Sequence, residues 1–489
     1  MSDDDICYLT ATEALALFEK RELSPVELME AQIRRAERVE PVINAFADTY
    51  FDEARQQAKV AEERYMRSGP RDRRPLDGVP VAVKDAQRVA GKRTTYGSLL
   101  FKDNVDDRSD PIVERLVAAG AIVHARTTTP EFCLSGTCET RMYGKTRNPW
   151  NAGYGPGGSS GGSGASLAAG TSVLATGTDI GGSIRIPASC CGVVGYKPPK
   201  GRNPDGPPAN FDPYNHCGPL ARSVADAALF QNIVSGAHPL DHHSLREKVQ
   251  LADAVQPVAG LRVAWSMDLG YVRIAPEVRR NTLAALDVFR QLGCIAEEVD
   301  LGWSLDSDRA AMAWYNAMHF GRQTLWHAQT GADLMTDYAL AAAQSARTLA
   351  IDDIAKSWET QHAMYQKFGP MMERFDIFIC PTTSIPALSA DHDPLDQDFR
   401  IDGQRVDPEY GWVLTHQFNM LFNSPVMSLP SGRAETGVPT GIQIVGRTFD
   451  DATVFRAALA YEQAVGGWFG EAARPNPPEG TQGTPSARG

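Results

Sequence analysis

The segment 155–164 constrains the fold of this chain more than any other, because six of its ten residues are glycine. A flexible surface loop of a compact protein does not need so many glycines. Glycine permits backbone conformations with positive φ and lets main-chain N–H groups approach a bound group closely. The residues that follow, 165–169, are small or apolar and typical of a buried helix. The sequence therefore predicts a loop of special backbone geometry that leads into a helix N-terminus.

Two familiar uses of such a loop fit the residues poorly. A phosphate-binding P-loop needs a lysine at the spacing Gly-x-x-x-x-Gly-Lys-Ser/Thr, and none stands there. A nucleophile elbow needs Gly-x-Ser-x-Gly, which 157–161 satisfies around Ser159, but it also needs a preceding strand, and 147–153 is polar and contains proline. His392 and His416 follow in the order that a Ser, Asp, His triad would require, so the elbow stays open at this point.

A second glycine segment, 177–187, favours acyl transfer by a serine. Small residues ahead of Ser183 allow backbone N–H groups to converge on one point, as an oxyanion hole requires. These are the N–H groups of Ile180, Gly181 and Gly182. Asp179 and Arg185 are placed to brace the loop as an ion pair. The alternative is a tight turn between two buried elements, which the segment alone does not exclude.

Lys84 is the candidate base, because a serine hydroxyl is a weak nucleophile until its proton is removed. The lysine ends the apolar run 79–83, which is typical of a buried strand. Burial disfavours the charged ammonium and so favours a neutral amine that accepts a proton. The alternative is a lysine at the end of a strand that reaches water or pairs with Asp85.

Short apolar runs and helical patterns alternate along the chain, which predicts an α/β fold with helices over a twisted, at least partly parallel sheet. A capping box at Ser24 and Glu27, with Pro25 at the first helical position, predicts the start of a long helix. The expected strands are 78–84, 121–125, 261–265 and 377–380, and the expected further helices are 50–66, 111–119, 275–293 and 309–369. We expect one catalytic domain over 1–470 and a disordered tail over 471–489, which has almost no apolar residues.

Composition and charge exclude several classes of protein. A hydrophobic share of 43% with 22% charged residues is typical of a folded globular chain. The formal net charge of −12 and the lack of a long basic run argue against a nucleic-acid partner. An acidic start and the lack of an apolar run of roughly 18 residues predict a cytoplasmic protein without membrane contact. The eight cysteines form no C-x-x-C pair, so we expect reduced thiols and no structural metal.

Taken together, these segments resemble the amidase signature family. The motifs that carry the resemblance are Gly78-Val-Pro-Val-Ala-Val-Lys84-Asp85, Gly157-Gly-Ser-Ser-Gly-Gly-Ser163 and Gly177-Thr-Asp-Ile-Gly-Gly-Ser-Ile-Arg-Ile-Pro187, with further matches at 127–132, 146–150, 191–198, 218–226 and 437–446. The resemblance implies a single domain with a large twisted mixed β-sheet covered by helices on both faces. The core signature spans about 75–230, and a variable helical substrate region spans about 300–370.

The resemblance also implies roles for particular residues. Ser183 would be the nucleophile, Ser159, with a cis peptide bond, the proton relay, and Lys84 the base. The two serines of the family lie 24 positions apart, and Ser159 and Ser183 keep that spacing. The implied oxyanion hole uses the N–H groups of Ile180, Gly181, Gly182 and Ser183, and the supporting residues are Ser160, Thr178, Asp179 and Arg185. Neither a metal nor an organic cofactor is implied.

The implied activity is hydrolysis of a carboxylic amide through an acyl-enzyme, with an aryl amide, an anilide, a carbamate (urethane) or an ester as the substrate. Aromatic side chains in the variable region suit a core as well as an apolar pocket: Trp303, Trp314, Tyr315, Phe320, Trp326 and Tyr338. Asn423 and Ser424 replace a glycine and apolar pair that is common in the family, so substrate preferences do not transfer directly. The expected partner is the small-molecule substrate, and the expected state is a monomer or a homodimer.

Two other functions compete with this hypothesis. The family includes glutaminase (A) subunits of tRNA-dependent amidotransferases, which usually place an acidic residue ahead of a proline-containing loop near the C-terminus. The stretch 412–422 has no acidic residue, and 204–213 is unlike the corresponding loop of those proteins. An inactive binding or scaffold protein would commonly lack one residue of the triad, and all three are present here.

Overall fold

The computed structural model describes residues 1–67 and 73–476, and most of its strands belong to one mixed sheet. The strands are β1 Phe46–Thr49, β2 Pro80–Lys84, β3 Ile122–Thr127, β4 Glu139–Thr140, β5 Gly144–Lys145, β6 Leu174–Asp179, β7 Val194–Lys197, β8 His216–Ala221, β9 Arg262–Trp265, β10 Ile295–Glu298, β11 Ile377–Pro381, β12 Arg400–Ile401, β13 Gln404–Arg405, β14 Val426–Arg433 and β15 Pro439–Gly446.

The large sheet has 11 strands in the order β1-β3-β2-β6-β8-β7-β14-β15-β11-β9-β10. The pairs β2/β3, β2/β6, β11/β9 and β9/β10 are parallel, whereas the other neighbours are antiparallel. Two small hairpins, β4/β5 and β12/β13, lie outside this sheet. The mixed sheet predicted from the sequence is therefore confirmed.

Fifteen α-helices are described in residues 1–67 and 73–476. They are α1 Asp3–Cys7, α2 Ala11–Lys20, α3 Pro25–Ile43, α4 Phe51–Arg67, α5 Pro111–Ala118, α6 Gly161–Ala168, α7 Arg185–Cys191, α8 Val224–Val234, α9 Pro276–Gln291, α10 Asp306–Trp314, α11 Phe320–Gly331, α12 Asp337–Arg347, α13 Ile351–Met372, α14 Gln417–Met420 and α15 Asp451–Val465. A π-helical turn, Tyr315–His319, joins α10 to α11, so the region predicted as helical over 309–369 consists of several shorter helices.

Helices cover both faces of the sheet, as the alternation of side chains along β2 shows. Val81 and Val83 belong to a core that includes residues of α5, α8 and α15. Ala82, between them in sequence, belongs to a core that includes residues of α3 and α6. The Gly/Ser loop leads into α6, and its Ser159 lies within hydrogen-bond distance of Lys84 at the end of β2.

The capping box that predicted the start of α3 is present. Ser24 N donates to Glu27 Oε2 at 2.8 Å, and Glu27 N donates to Ser24 Oγ at 3.2 Å. Pro25 occupies the first helical position. Because the box satisfies N–H groups that have no partner inside the helix, it fixes where the helix begins.

At the C-terminal end, the prediction of a disordered tail over 471–489 falls mainly on 477–489, which lies outside the described residues. Within 471–476, a short 3-10 turn spans Glu471–Ala473, and Arg474 pairs with Asp5 of α1 at 2.9 Å. All eight cysteines are free thiols, and Cys133 is the one that is not buried. In the described part of the chain, no helix has the length and apolar character to cross a bilayer.

Candidate active site

Lys84 is the last residue of β2, and its side chain is fully buried. Its Nζ lies 2.7 Å from Ser159 Oγ and 2.8 Å from Thr178 Oγ1. Within residues 1–67 and 73–476, no carboxylate lies at ion-pair distance from this nitrogen. Burial lowers the pKa of the amine below its ordinary value, because the charged form loses its hydration. The site therefore favours a neutral amine with hydroxyl groups around it.

The alternative that Lys84 reaches water or pairs with Asp85 is wrong, because Lys84 is fully buried and Asp85 has other partners. Its carboxylate accepts the N–H of Thr95 at 2.9 Å and lies 3.6 Å from the guanidinium of the buried Arg126. These contacts engage the carboxylate of Asp85 with Thr95 and Arg126. The lysine keeps the hydroxyls of Ser159 and Thr178 as neighbours, and burial lowers the pKa of its amine more than the nearby thiol of Cys133 raises it.

Ser159 reaches Lys84 from the Gly/Ser loop, and the peptide bond between Gly158 and Ser159 is cis. A Cβ at Gly158 would collide with the carbonyl oxygen of Ser135, so the loop packs too tightly there for a side chain. Two residues after Ser159 the chain enters α6. The predicted loop into a helix N-terminus is confirmed.

The nucleophile elbow is wrong for this loop. The preceding strand, β5, ends at Lys145, well before Ser159, so no strand leads directly into the serine. His392 Nε2 contacts the carbonyl of Pro408 at 2.9 Å, and His416 Nε2 contacts Asp308 Oδ1 at 2.7 Å. Within the described residues, neither histidine makes a hydrogen bond to Ser159.

The segment around Ser183 joins β6, which ends at Asp179, to α7, which begins at Arg185. Arg185 Nη2 and Nε donate to the two oxygens of Asp179, each at 2.9 Å, so the predicted brace is confirmed. Burial alone would raise the pKa of Asp179, but the guanidinium outweighs it and holds that pKa well below its ordinary value. Arg185 also donates to Asn419 Oδ1 at 2.7 Å and to Gln443 Oε1 at 2.9 Å. The loop is thereby fixed from several directions.

One of the predicted oxyanion donors is occupied. The N–H of Gly182 donates to Asp179 Oδ1 at 2.9 Å, so including it among the groups available for an oxyanion was wrong. The brace takes this N–H because Asp179 accepts from the loop backbone as well as from Arg185. Among the described residues, the N–H groups of Ile180, Gly181 and Ser183 have no hydrogen-bond acceptor.

Ser160 ties the two glycine segments together. Its N–H donates to the carbonyl of Ser183 at 3.2 Å, and its Oγ lies 3.4 Å from the backbone of Thr178. Ser183 thus lies beside the loop of Ser159. Among the described residues, no hydrogen bond joins Ser159 Oγ to Ser183 Oγ. Such bonds are often long in ligand-free sites and shorten when a substrate binds.

Two adjoining cavities meet at these serines. Ser159, Thr178 and Ile180 line a cavity of about 730 Å³. Ser183 lines a much smaller one of about 20 Å³, roughly the space of one water molecule, together with Gly181 and Ile180. The larger cavity is lined by apolar side chains that include Tyr96, Phe132, Phe211, Met318, Phe320 and Trp326.

The aromatic residues of the variable region lie in the hydrophobic core, in the lining of the cavities, or in both. Phe320 and Trp326 line the large cavity, and Tyr315 lines the small one. Trp303 and Trp314 belong to the hydrophobic core. The hydroxyl of Tyr338 donates to the carbonyl of Glu139 at 2.8 Å and accepts the N–H of Glu131.

Cys133 and Glu409 are among the residues of the site that sequence reasoning did not find. Cys133 lines both cavities, and Glu409 lines the small one beside Ser183. Glu409 accepts hydrogen bonds from the N–H of Gly136 and from Ser135 Oγ, the latter at 3.0 Å. Burial raises the pKa of Glu409 to about 8. Cys133 adjoins the motif at 127–132, which was a usable signal, whereas the polar stretch around Glu409 gave none.

The fold and the site define a class of α/β protein in which a buried amine and two serines meet beside a ligand cavity. The chain is 34% identical to an acylamidase of Rhodococcus erythropolis, over 96% of this chain and 98% of that protein. It is 33% identical to the A component of the glutamyl-tRNA(Gln) amidotransferase of Geobacillus thermodenitrificans (strain NG80-2), over 93% and 97%. The solved structure of a bacterial aryl acylamidase of the amidase signature family superposes with a TM-score of 0.86 at 29% identity, over 94% and 96% of the two chains.

The sequence profile named Amidase matches residues 27–455. The chain therefore belongs to the amidase signature family, as the motifs predicted. It is a hydrolase that acts on the C–N bonds of linear amides.

Proposed function

We propose that the protein hydrolyses amides with an aryl or other apolar group, using Ser183 as nucleophile, Ser159 as proton relay and Lys84 as base. The observation that carries this proposal is the distance of 2.7 Å between Lys84 Nζ and Ser159 Oγ in a buried site. A lysine in that position takes a proton only when it is neutral, and its burial favours the neutral form.

The proposed reaction begins when Ser183 Oγ attacks the amide carbonyl carbon. The proton of Ser183 moves to Ser159 Oγ as the proton of Ser159 moves to Lys84 Nζ. The carbonyl oxygen becomes an oxyanion that accepts hydrogen bonds from the N–H groups of Ile180, Gly181 and Ser183. The C–N bond then breaks, the leaving amine takes a proton through the same relay, and Ser183 carries the acyl group.

In the second half, water attacks the acyl-enzyme and gives its proton to the relay. The C–O bond to Ser183 breaks, the carboxylic acid leaves, and Ser183 recovers its proton. Thr178, which accepts a hydrogen bond from Lys84 Nζ, holds the amine in place. The ion pair of Asp179 and Arg185 keeps the loop of Ser183 rigid.

The proposed substrate class follows from the unequal sizes of the two cavities. Of the two, the cavity of about 730 Å³ has room for an aryl group, and its apolar lining suits one. The relatives include an acylamidase and an aryl acylamidase, which supports this choice. A carbamate or an ester presents a similar carbonyl and would react through the same intermediate. The helices within 300–370 are proposed as the substrate region of a catalytic domain over 1–470.

A second candidate is the glutaminase component of an amidotransferase, since relatives of that kind are 33% identical to the chain. The lack of an acidic residue in 412–422 argues against this candidate. However, Glu409 reaches the cavity of Ser183 from just before that stretch, so the site does contain a carboxyl group. Its oxygens are engaged by Ser135 and Gly136, which leaves them less suited to holding the amino group of glutamine.

The test is to label the protein with a fluorophosphonate, locate the modified residue by peptide mass spectrometry, and measure turnover of an anilide and of glutamine. We expect the label on Ser183, no label or turnover in Ser183→Ala, and anilide hydrolysis that exceeds glutamine hydrolysis. Ser345→Ala, at an exposed serine of α12, is the matched control and should behave as wild type. Anilide turnover retained in Ser183→Ala would overturn the triad. Glutamine turnover above anilide turnover would favour the amidotransferase function.

A further inference from the structure

Tyr315 contacts the loop of Ser183 from outside the signature segments. Its side chain is 1% exposed, and its hydroxyl donates to the carbonyl of Ile180 at 2.8 Å. A Cβ added at Gly181 would lie 2.9 Å from this hydroxyl, so the contact requires a glycine there. The ring of Tyr315 packs against those of Tyr214 and Phe320, with centroids 6.3 and 5.7 Å apart. The rings that pack against Tyr315 therefore hold its hydroxyl at the loop.

The hydrogen bond fixes the direction of one particular N–H. The carbonyl of Ile180 and the N–H of Gly181 belong to the same peptide group, and in a trans peptide they point in opposite directions. Because Tyr315 holds the carbonyl, the N–H of Gly181 points to the opposite side. This N–H has no acceptor among the described residues, and Gly181 lines the small cavity with Ser183. A buried N–H without a partner is a donor that awaits one.

The peptide groups on either side are held in the same way. Asn419 Nδ2 donates to the carbonyl of Asp179 at 3.0 Å, which orients the N–H of Ile180. Thr415 Oγ1 donates to the carbonyl of Gly181 at 2.6 Å. This contact orients the N–H of Gly182, which donates to Asp179. Three consecutive carbonyls are thus fixed by side chains far away in sequence, and Tyr315 holds the middle one.

We propose that Tyr315 is a positioning residue of the oxyanion hole, acting through the N–H of Gly181. The inference rests on the proposed function, since it assumes that Ser183 is the nucleophile. Tyr315 begins the π-helical turn between α10 and α11, and α11 carries Phe320 and Trp326 of the large cavity. The helix that lines the substrate cavity is therefore joined to the loop that stabilises the transition state.

Tyr315 does not act as an acid in this proposal. Burial raises the pKa of its hydroxyl well above the ordinary value, and the hydroxyl hydrogen is engaged by the carbonyl of Ile180. A pre-oriented N–H contributes mainly to the transition state, because the charge on the carbonyl oxygen develops there. Loss of the Tyr315 hydroxyl should therefore lower kcat and leave KM almost unchanged.

The test compares Tyr315→Phe with Tyr214→Phe. Tyr214 is equally buried, and its ring packs against the ring of Tyr315. Its hydroxyl, however, donates to Gln361 Oε1 at 3.3 Å and not to the loop. For an anilide that the wild type turns over, we expect Tyr315→Phe to lower kcat about ten-fold or more, with KM within about three-fold. Binding of a trifluoromethyl ketone, which forms an oxyanion on Ser183, should weaken by the same factor. Tyr214→Phe should match the wild type in both measurements.

Equal kcat values for the two variants, or a rise in KM alone for Tyr315→Phe, would overturn the inference. Fluorophosphonate labelling of Ser183 in Tyr315→Phe separates this failure from failure of the proposed function. If Ser183 is labelled and kcat is unchanged, the triad stands and the role of Tyr315 is wrong. If Ser183 is labelled in neither the wild type nor the variant, the proposed function itself is wrong.

Discussion

Lys84 Nζ lies 2.7 Å from Ser159 Oγ, although the two residues are 75 positions apart in sequence. The lysine comes from the end of a parallel strand of the sheet, and the serine comes from the loop that enters α6. A buried amine usually has a carboxylate partner, and here its nearest partners are hydroxyls. That arrangement costs stability, because the amine gives up hydration without gaining an ion pair, and it leaves a base next to a serine.

The first prediction concerns the base itself. Lys84→Met fills similar space without an amine, so we expect kcat/KM for an anilide to fall about 10²- to 10⁴-fold, the usual contribution of a general base. Lys92→Met, which removes a lysine paired with Glu53 near the surface, is the control and should keep wild-type turnover. Turnover of Lys84→Met within ten-fold of the wild type would mean that another group takes the proton of Ser159.

The second prediction concerns pH. Protonated Lys84 cannot act as a base, so kcat/KM should fall as the pH drops through the lowered pKa of this amine. Thr178 accepts a hydrogen bond from Nζ, which stabilises the charged form more than the neutral form. Thr178→Val should therefore lower the pKa of Lys84 and move the acidic limb of the profile to lower pH. A profile that is flat down to pH 5 in the wild type, or a limb that moves upward in the variant, would contradict a lysine base.

The third prediction concerns the ion pair of Asp179 and Arg185, both fully buried. Removing one partner leaves a buried charge without compensation, so Arg185→Ala should cost about 3–5 kcal/mol of unfolding free energy. The control is Arg290→Ala, which breaks an exposed pair with Asp287 and should cost no more than about 0.5 kcal/mol. Urea unfolding followed by circular dichroism measures both. Similar losses for the two variants would show that the buried pair does not stabilise the loop.

The sequence predicted the parts of the site that lie close together along the chain. A strand-like run that ends in lysine located Lys84, and a charge pair across six residues located the brace of Asp179 and Arg185. The same reasoning from neighbouring residues wrongly placed the N–H of Gly182 in the oxyanion hole. Glycine content indicated that N–H groups are exposed in the loop, but it did not indicate that Asp179 would accept one of them.

The remaining part of the site depends on contacts between distant segments. Tyr315, Thr415 and Asn419 reach the loop of Ser183 from more than a hundred positions away. Periodicity shows that Tyr315 stands on a helix, but it cannot show which carbonyl the hydroxyl meets. The strands β14 and β15 were also not predicted. They lie inside the sheet, and the four strands predicted from apolar runs did not include them.

The last prediction concerns Glu409, whose burial raises its pKa from 4.5 to about 8. Between those values the unfolded chain releases this proton and the folded chain keeps it. The folded state thus binds more protons, and the contribution of Glu409 to stability decreases as the pH rises, by at most about 1.4 kcal/mol per pH unit. Glutamine keeps an oxygen that accepts the N–H of Gly136 and cannot ionise. Glu409→Gln should therefore gain stability relative to the wild type from pH 5 to pH 8 and no further above it.

Urea unfolding at pH 5, 6, 7 and 8 measures this difference, with Glu298→Gln at an exposed position of β10 as the control. The control should follow the wild type at every pH. Parallel stability curves for Glu409→Gln and the wild type would show that the carboxyl ionises equally in the folded and unfolded chain. Glu409 lines the cavity of Ser183, so anilide turnover is measured for the same proteins over the same pH range. This measurement separates the effect of Glu409 ionisation on stability from its effect on catalysis. A loss of turnover above pH 8 that the variant abolishes would come from charge beside the nucleophile and not from unfolding.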